Sequence, residues 1–179
     1  MSAFKTHTFD GHAKSVWAVA ATPDGQHIIS GDMDNIVKVW SVASKSLVST
    51  CAGHTDWVYA VAAMPDGRRF LSGGGQYDHT VRVWLLNGTH QNTFELHDGW
   101  VKALVALPDN QHALSGSFDG TVKLFNVNDG AVVRTFRHHT EGLTCLALLP
   151  DGLRFVSASY DETARIVYHG LAPQVASPN

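Results

Sequence analysis

The chain of 179 residues contains four near-copies of one seven-residue segment. They read DNIVKVW from Asp34, DHTVRVW from Asp78, DGTVKLF from Asp119 and DETARIV from Asp161. Two further features keep a spacing of 42 or 43 residues: a His, at His12, His54, His97 and His139, and a Pro-Asp-Gly or Pro-Asp-Asn turn, beginning at Pro23, Pro65, Pro108 and Pro150. Self-similarity at such a period predicts a repeat architecture, in which each copy is one small structural unit.

Each repeat is predicted to form four short β-strands. An apolar run such as SVWAVAA or WVYAVAA comes first and ends at the Pro-Asp turn, and a second run such as HIISG or RFLSG follows it. After a turn that contains Gly or Asp, the alternating segment VKVW, VRVW, VKLF or ARIV forms the third strand. A fourth strand ends in Thr followed by an apolar residue, at Thr8-Phe9, Thr50-Cys51, Thr93-Phe94 and Thr135-Phe136.

Four-strand units of this period, with a His before the first strand and a Trp closing the third, resemble the WD40-repeat family, which implies an all-β fold of propeller blades. The resemblance covers residues 4 to about 169. Residues 1–169 are therefore predicted to form four blades, and residues 170–179 a short flexible tail. The sequence departs from the family pattern in two ways, because Gly-His stands only at Gly11-His12 and Gly53-His54, and no copy has the Trp-Asp dipeptide.

The resemblance also implies one hydrogen-bonded set in each blade, made by the His, a Ser of strand two, the Asp of the next turn and the Trp of strand three. The matching positions are His12, Ser30, Asp34 and Trp40; His54, Ser72, Asp78 and Trp84; His97, Ser115 and Asp119; and His139, Ser157 and Asp161. The Trp place is taken in blades three and four by Phe125 and Val167. Because the indole N–H is the outermost link of the set, we expect these two residues to keep the apolar packing and lose only a donor.

The same three residue types form the catalytic triads of hydrolases, and 11 His residues invite a metal site, so a propeller-based hydrolase or metal-dependent enzyme is the alternative function. A nucleophile site occurs once in a fold, whereas this set occurs four times. No C-x-x-C or H-x-x-x-H spacing indicates zinc, and no cofactor is expected. The repeats therefore favour a non-enzymatic scaffold for protein interactions.

The residues beside the hydrogen-bonded sets are rich in aromatic side chains. In the family these loops surround the narrow end of the central channel, and aromatic residues in turns are frequent anchors of interfaces. Trp17 and Tyr59 fall inside apolar strands, so core packing and partner contact are equally open for them. Acidic residues lie nearby, which suits a basic side chain on the partner; they are Asp56, Asp98 and Glu141. The predicted partner-binding residues are Trp17, Trp57, Tyr59, Tyr77, Trp100, Phe118 and Tyr160.

Composition narrows the partners and the compartment. Thirteen Lys and Arg against sixteen Asp and Glu give a net charge of -3, which does not favour nucleic acid. The N-terminus lacks the apolar core of a signal peptide, and no stretch approaches the roughly 20 apolar residues of a membrane span. Cys51 and Cys145 are expected to be buried free thiols, as in a reducing compartment. The expected partner is a protein or peptide, and the expected location is intracellular, in the cytoplasm or the nucleus.

Blade four lacks a fourth strand in the sequence, because the segment after it contains two Pro residues and no Thr-Phe pair. Residues 4–9, which read FKTHTF, have strand character but no blade of their own. They are predicted to complete a fourth blade, within one chain or between two. A ring of four blades would need bulky residues in wide outer gaps, whereas these strands carry Ala and Val. We therefore expect a homodimer that forms one eight-bladed ring, with half of a larger propeller completed by another chain as the competing possibility.

Overall fold

A computed structural model describes residues 6–171, which form fifteen β-strands in four antiparallel sheets. Blade one contains β1 (Val16–Ala21), β2 (His27–Asp32), β3 (Ile36–Ser41) and β4 (Ser46–Ala52). Blade two contains β5 (Val58–Ala63), β6 (Arg69–Gly74), β7 (Thr80–Leu85) and β8 (His90–Glu95). Blade three contains β9 (Val101–Ala106), β10 (His112–Ser117), β11 (Val122–Asn126) and β12 (Val132–Phe136). Blade four contains three strands, β13 (Leu143–Leu148), β14 (Arg154–Ser159) and β15 (Ala164–Tyr168).

The Pro-Asp turns join the first strand of each blade to the second through the same local hydrogen bonds. The Asp carboxylate accepts from the backbone N–H two residues later, at 2.7 to 2.9 Å. The residue after the Asp has a positive φ in every blade, at Gly25 (68°), Gly67 (63°), Asn110 (57°) and Gly152 (66°). Gly and Asn adopt this left-handed conformation more readily than other residues, which explains why the turns read Pro-Asp-Gly or Pro-Asp-Asn.

A β-bulge interrupts the first strand of every blade near its beginning. The residues at the bulges are Trp17, Tyr59, Lys102 and Thr144. A bulge bends its strand and redirects the side chain that it carries. The bulges lie at the same end of the blades as the turns between strands two and three, and the Pro-Asp turns lie at the other end, about 20 Å of strand away.

Neighbouring blades pack face to face through three apolar clusters, one at each junction. Strand two of blades one to three has a Gly where the next blade comes closest. A Cβ on Gly31 would lie 2.5 Å from the side chain of Val58, and one on Gly73 would lie 2.6 Å from that of Val101. These two positions therefore allow a closer approach of the sheets than any larger residue would.

The four blades form an open arc, because no strand pairing joins blade four to blade one among residues 6–171. Within the predicted strand 4–9, residues 6–9 form no strand in this single chain, and residues 4 and 5 lie outside the described residues. Of the predicted tail, Gly170 and Leu171 are described, and residues 172–179 lie outside the described part. Leu171 packs against the apolar cluster between blades three and four.

The two cysteines are free, but they differ in exposure. Cys51 is buried, and burial raises the pKa of its thiol to about 11. Cys145 is exposed, so the prediction of two buried thiols is wrong for it. Its position in the repeat matches Ala60 and Ala103, which face the following blade and are buried by it. No described blade follows blade four, so Cys145 faces solvent.

Candidate functional site

Each blade holds a His between a Ser hydroxyl and an Asp carboxylate. In blades two to four the ring Nδ1 lies 3.0, 2.8 and 2.7 Å from the carboxylates of Asp78, Asp119 and Asp161. The ring Nε2 lies 2.6, 2.8 and 2.8 Å from the hydroxyls of Ser72, Ser115 and Ser157. Because a carboxylate only accepts, Nδ1–H donates to the Asp and the Ser hydroxyl donates to Nε2. The structure thus brings together the residues predicted for the sets of His54, His97 and His139.

In blade one the acceptor is Asp32, and the prediction of Asp34 is wrong. Nδ1 of His12 lies 2.5 Å from the Asp32 carboxylate, and Nε2 lies 2.6 Å from the hydroxyl of Ser30. Asp32 ends β2, and its second oxygen accepts from the backbone N–H groups of Asp34 and Ile36. One carboxylate therefore holds both the His and the turn, and Asp34 is left exposed. Repeat register alone favoured Asp34, because the other blades have Gly or Ser in the place of Asp32.

The residue that closes strand three decides whether the Ser hydroxyl receives an indole hydrogen bond. The indole N–H of Trp40 donates to Ser30 and that of Trp84 donates to Ser72, both at 2.8 Å. Phe125 fills the same place in blade three and is completely buried, so it keeps the packing without the donor.

Blade four replaces the lost indole donor with a second His. Nε2 of His138 lies 2.8 Å from the hydroxyl of Ser157, the same distance as Nε2 of His139. Burial, together with the neighbouring His139 and Arg165, lowers the pKa of His138. A neutral His138 can donate its Nε2–H while the hydroxyl donates to His139. The sequence did not predict the role of His138, because the repeat pattern places the donor to the Ser hydroxyl at the position of Val167.

These sets hold turns against strands and are poorly placed for catalysis. Burial alone would raise the pKa of Asp78 and of Asp119, but hydrogen bonds from His and Thr outweigh it and hold the pKa of both well below its usual range. The side chains of Ser72 and Ser115 are completely buried. A nucleophile must reach its substrate and needs oxyanion donors beside it. The buried hydroxyls do not meet the first condition.

Six of the seven predicted binding residues form a continuous row of aromatic rings at the bulge end of the blades. The centroids of neighbouring rings lie 5.2 to 6.0 Å apart. This aromatic row consists of Trp17, Trp57, Tyr59, Trp100, Phe118 and Tyr160. Trp17, Phe118 and Tyr160 are about half exposed, and Tyr59 and Trp100 are half-buried between their neighbours. The row is therefore a surface feature, in which each ring supports the next.

Tyr77 lies apart from the aromatic row, although it was predicted with the others. Its side chain is 79% exposed, and its ring is absent from the ring contacts among residues 6–171. Asp56 fixes its loop, because the Asp56 carboxylate accepts from the backbone N–H groups of Trp57 at 2.8 Å and Tyr77 at 2.9 Å. The charge of Asp56 thus serves the loop itself.

Lys102 already occupies one part of the aromatic row. Its Nζ lies 3.9 Å from the ring centroid of Tyr59 and 5.4 Å from that of Trp100, so the cation is held over ring faces. Burial lowers the pKa of Lys102. Sequence reasoning missed this residue, although its repeat position matches Trp17 and Tyr59.

A cavity of about 670 Å³ opens between blades three and four beside the row. Gly142 provides the space, because the same repeat position carries Trp57 in blade two and Trp100 in blade three. The Glu141 carboxylate makes no hydrogen bond or ion pair within residues 6–171, where only its backbone carbonyl accepts a hydrogen bond, from the hydroxyl of Ser159. The lining residues are Trp100, Phe118, Glu141, Gly142 and Tyr160. The cavity thus combines three aromatic rings with one available negative charge.

Two other kinds of site are absent from the described part of the chain. Within residues 6–171, no three His, Cys, Asp or Glu side chains are grouped so that they could hold a metal ion. The same residues include no helix long and apolar enough to cross a membrane.

The family described as WD domain, G-beta repeat (WD40) matches the chain at residues 4–41, 45–84, 88–126 and 130–167. These four matches cover most of the sequence, so the protein belongs to the WD40-repeat family. WD40 repeats generally mediate protein–protein interactions, and WD40 propellers are typically non-enzymatic scaffolds.

Two curated relatives match over single stretches. The chain is 46% identical over 39 residues to the vegetative incompatibility protein HET-E-1 of Podospora anserina, which covers 22% of this chain and 3% of the relative. It is 42% identical over 45 residues to Protein Mut11 of Chlamydomonas reinhardtii, which covers 25% of this chain and 12% of the relative. Each match is about one repeat long, so the similarity concerns the blade.

Proposed function

We propose that this protein is a non-enzymatic scaffold that binds a protein or peptide segment at the end of the blades that carries the aromatic row. The observation that carries the proposal is the cavity beside Gly142, which is lined by three aromatic rings and by Glu141. A volume of about 670 Å³ is within the range of ligand sites in proteins. A cation in this cavity would gain both ring-face and ion-pair contacts. The bound segment therefore presents a Lys or Arg side chain.

The internal cation of the row supports this choice of cavity. Lys102 lies over Tyr59 and Trp100, so a second cation on that side would meet like charge. Glu141 lies on the far side of Trp100, toward blade four, where Phe118 and Tyr160 leave the cavity open. The basic side chain is thus directed to the junction of blades three and four, and the rest of the row remains available for apolar contacts.

A selection from a random peptide library displayed on phage tests this proposal, since such a selection requires no identified partner. We expect the selected peptides to share one Lys or Arg flanked by apolar residues. Their affinity, measured by titration calorimetry, should fall roughly tenfold for Glu141→Gln, which removes the charge and keeps the shape, since a close ion pair in a partly desolvated site contributes about 1.4 kcal/mol. Phe118→Ala should weaken binding by at least as much.

The matched control is Arg68→Ala, which lies in a Pro-Asp turn at the other end of the blades. It should leave peptide affinity unchanged. Selected peptides without a basic residue, or an affinity that is insensitive to both Glu141→Gln and Phe118→Ala, would contradict the proposal.

We further propose where the protein acts and that it associates with itself. An intracellular site of action, cytoplasmic or nuclear, is supported by the free thiols of Cys51 and Cys145. A second copy of the chain is proposed as a further partner, because four blades in each copy would supply the eight blades of a ring, within the range of about 4 to 8 found in propellers.

A further inference from the structure

The two ends of the arc expose apolar residues whose counterparts are buried at the internal junctions. Val16 of blade one is 50% exposed, whereas complete burial is found at its counterparts Val58, Val101 and Leu143. Ile166 of blade four is 65% exposed, whereas its counterparts are at most 1% exposed; they are Val39, Val83 and Leu124. The Val16 face is the one that receives a preceding blade, and the Ile166 face is the one that receives a following blade. Blade one thus exposes the face that packs on a preceding blade, and blade four exposes the face that packs on a following blade, so the two exposed faces are complementary in kind.

Residues 6–9 lie where the fourth strand of a preceding blade would lie. The ring of Phe9 packs against Trp40 with centroids 5.6 Å apart. Phe94, at the same repeat position in β8, packs against Phe125 of the next blade at 6.1 Å. Residues 6–9 are therefore docked on blade one like a fourth strand, but they pair with no strand among residues 6–171. At the other end of the described chain, β15 pairs with β14, and no strand within residues 6–171 pairs with its second edge.

We infer that a second copy of this chain covers both open ends, so that residues 6–9 of each copy add to β15 of the other as its fourth strand. The inference rests on the proposed self-association and specifies its interface. In a twofold arrangement, blade four of each copy meets blade one of the other, and these two joints between the copies are identical. Neither an end face nor a strand edge is then left open, which is the condition for a closed assembly. Each joint repeats the kind of contact that the chain makes three times within itself.

The internal blades fix the register of the new strand pair. The residue that corresponds to Ile166 pairs with the fourth strand as Val39 with Ser49, Val83 with Asn92, and Leu124 with Arg134. The same register pairs Ile166 with His7 of the other copy. Paired residues of antiparallel strands have Cα atoms about 4.5–5.5 Å apart, within the range that a disulfide spans.

One residue sets how tight the joint is. At the internal junctions a Cβ on Gly31 or Gly73 would lie 2.5 or 2.6 Å from the next blade, and blade four has Ala158 in this place. The methyl group of Ala158 must hold Val16 of the other copy a little farther from strand two than Gly31 and Gly73 hold Val58 and Val101. The joint between copies is therefore weaker than the internal junctions, and Ala158→Gly should lower the dissociation constant of the dimer several-fold.

Cross-linking tests the register directly. His7→Cys and Ile166→Cys are combined in one chain that also carries Cys145→Ala, the residue found at the equivalent places in the other blades. Under mild oxidation we expect a covalent dimer on a non-reducing gel. The control combines Thr8→Cys with Ile166→Cys, because adjacent strand residues point to opposite faces, and it should cross-link poorly. An internal disulfide in a monomer, equal cross-linking of the control, or no disulfide would each overturn the inference.

Light scattering on the unmodified protein gives the second readout. We expect a species of about 39 kDa, twice the 19.4 kDa chain, and a folded monomer for Val19→Asp, which places a charge on the open face of blade one where Val19 is 70% exposed. A folded monomer from the unmodified protein would overturn the inference. The peptide cavity lies within blades three and four of one chain, so a monomer that still binds the selected peptides would leave the proposed binding function standing.

Discussion

Replacing His54 by Ala removes the central member of the hydrogen-bonded set in blade two. His54 donates to the Asp78 carboxylate at 3.0 Å and accepts from the Ser72 hydroxyl at 2.6 Å. A hydrogen bond to a charged group is worth about 1.5–3 kcal/mol and a neutral one about 0.5–1.5 kcal/mol. Asp78 keeps the N–H donors of Thr55 and Thr80, so we expect the loss of stability to lie near the lower end of the sum of these two ranges. We expect a cost of about 2 kcal/mol, which corresponds to roughly 4–8 °C in thermal midpoint for a chain of this size.

Urea unfolding followed by tryptophan fluorescence measures this cost. Gln91→Ala is the matched control, since Gln91 is an exposed residue of the same blade whose side chain makes no hydrogen bond within residues 6–171, and it should change the free energy of unfolding by less than about 0.5 kcal/mol. Because each single variant already removes the bond between His54 and Ser72, the double variant His54→Ala/Ser72→Ala should cost less than the sum of the single variants. A loss below about 0.5 kcal/mol for His54→Ala, or strict additivity, would refute the claim that the set acts as one unit.

Three further predictions concern pH, the binding face and the chain end. Because hydrogen bonds hold the pKa of Asp78 below its unfolded value of about 3.9, its stabilisation is present above that pH and is lost as the pH falls below it. The free energy of unfolding, measured in urea, should therefore fall less between pH 5 and pH 3 for Asp78→Asn than for the wild type. Equal decreases in the two proteins would contradict this. A triple Ala variant of Trp57, Trp100 and Phe118 should abolish binding of the selected peptides in calorimetry. Its thermal midpoint should also fall, because Trp100 is half-buried and stacks on Tyr59 and Phe118. A lower midpoint with intact binding would show that the rings are core. Deleting residues 1–9 should convert the dimer to monomer in light scattering, and deleting residues 171–179 should not; a dimer that survives the first deletion would contradict the role of that segment.

The blades could be predicted from the sequence because a repeat tests each inference several times. Four independent segments agreed on where strands and turns fall, and turn chemistry at Gly25 and its equivalents allows few alternatives. The same redundancy located the His and Ser of every set. It failed at Asp32, because one turn holds two carboxylates two residues apart, and only the backbone geometry decides which of them reaches His12.

The binding face was predictable in its residue type but not in its geometry. Exposed aromatics near the turns were identified, yet the sequence could not show that Tyr77 stands alone while Tyr160 joins the row. The cavity depends on a missing side chain, at Gly142, and a small residue gives no positive signal in a search for anchors. Lys102 was missed for a related reason, since a charged residue in a strand resembles ordinary surface until its ring contacts are known.

Hydrogen–deuterium exchange with a library-selected peptide tests the location of the binding site most directly. We expect slower exchange on peptide binding in backbone amides at residues 98–100, 117–120 and 140–142, which border the cavity between blades three and four. The Pro-Asp turns at residues 23–26 and 65–68, at the other end of the blades, should exchange at the same rate with and without peptide. Protection of those turns, with the cavity segments unchanged, would contradict the claim that the aromatic end of the blades is the binding face.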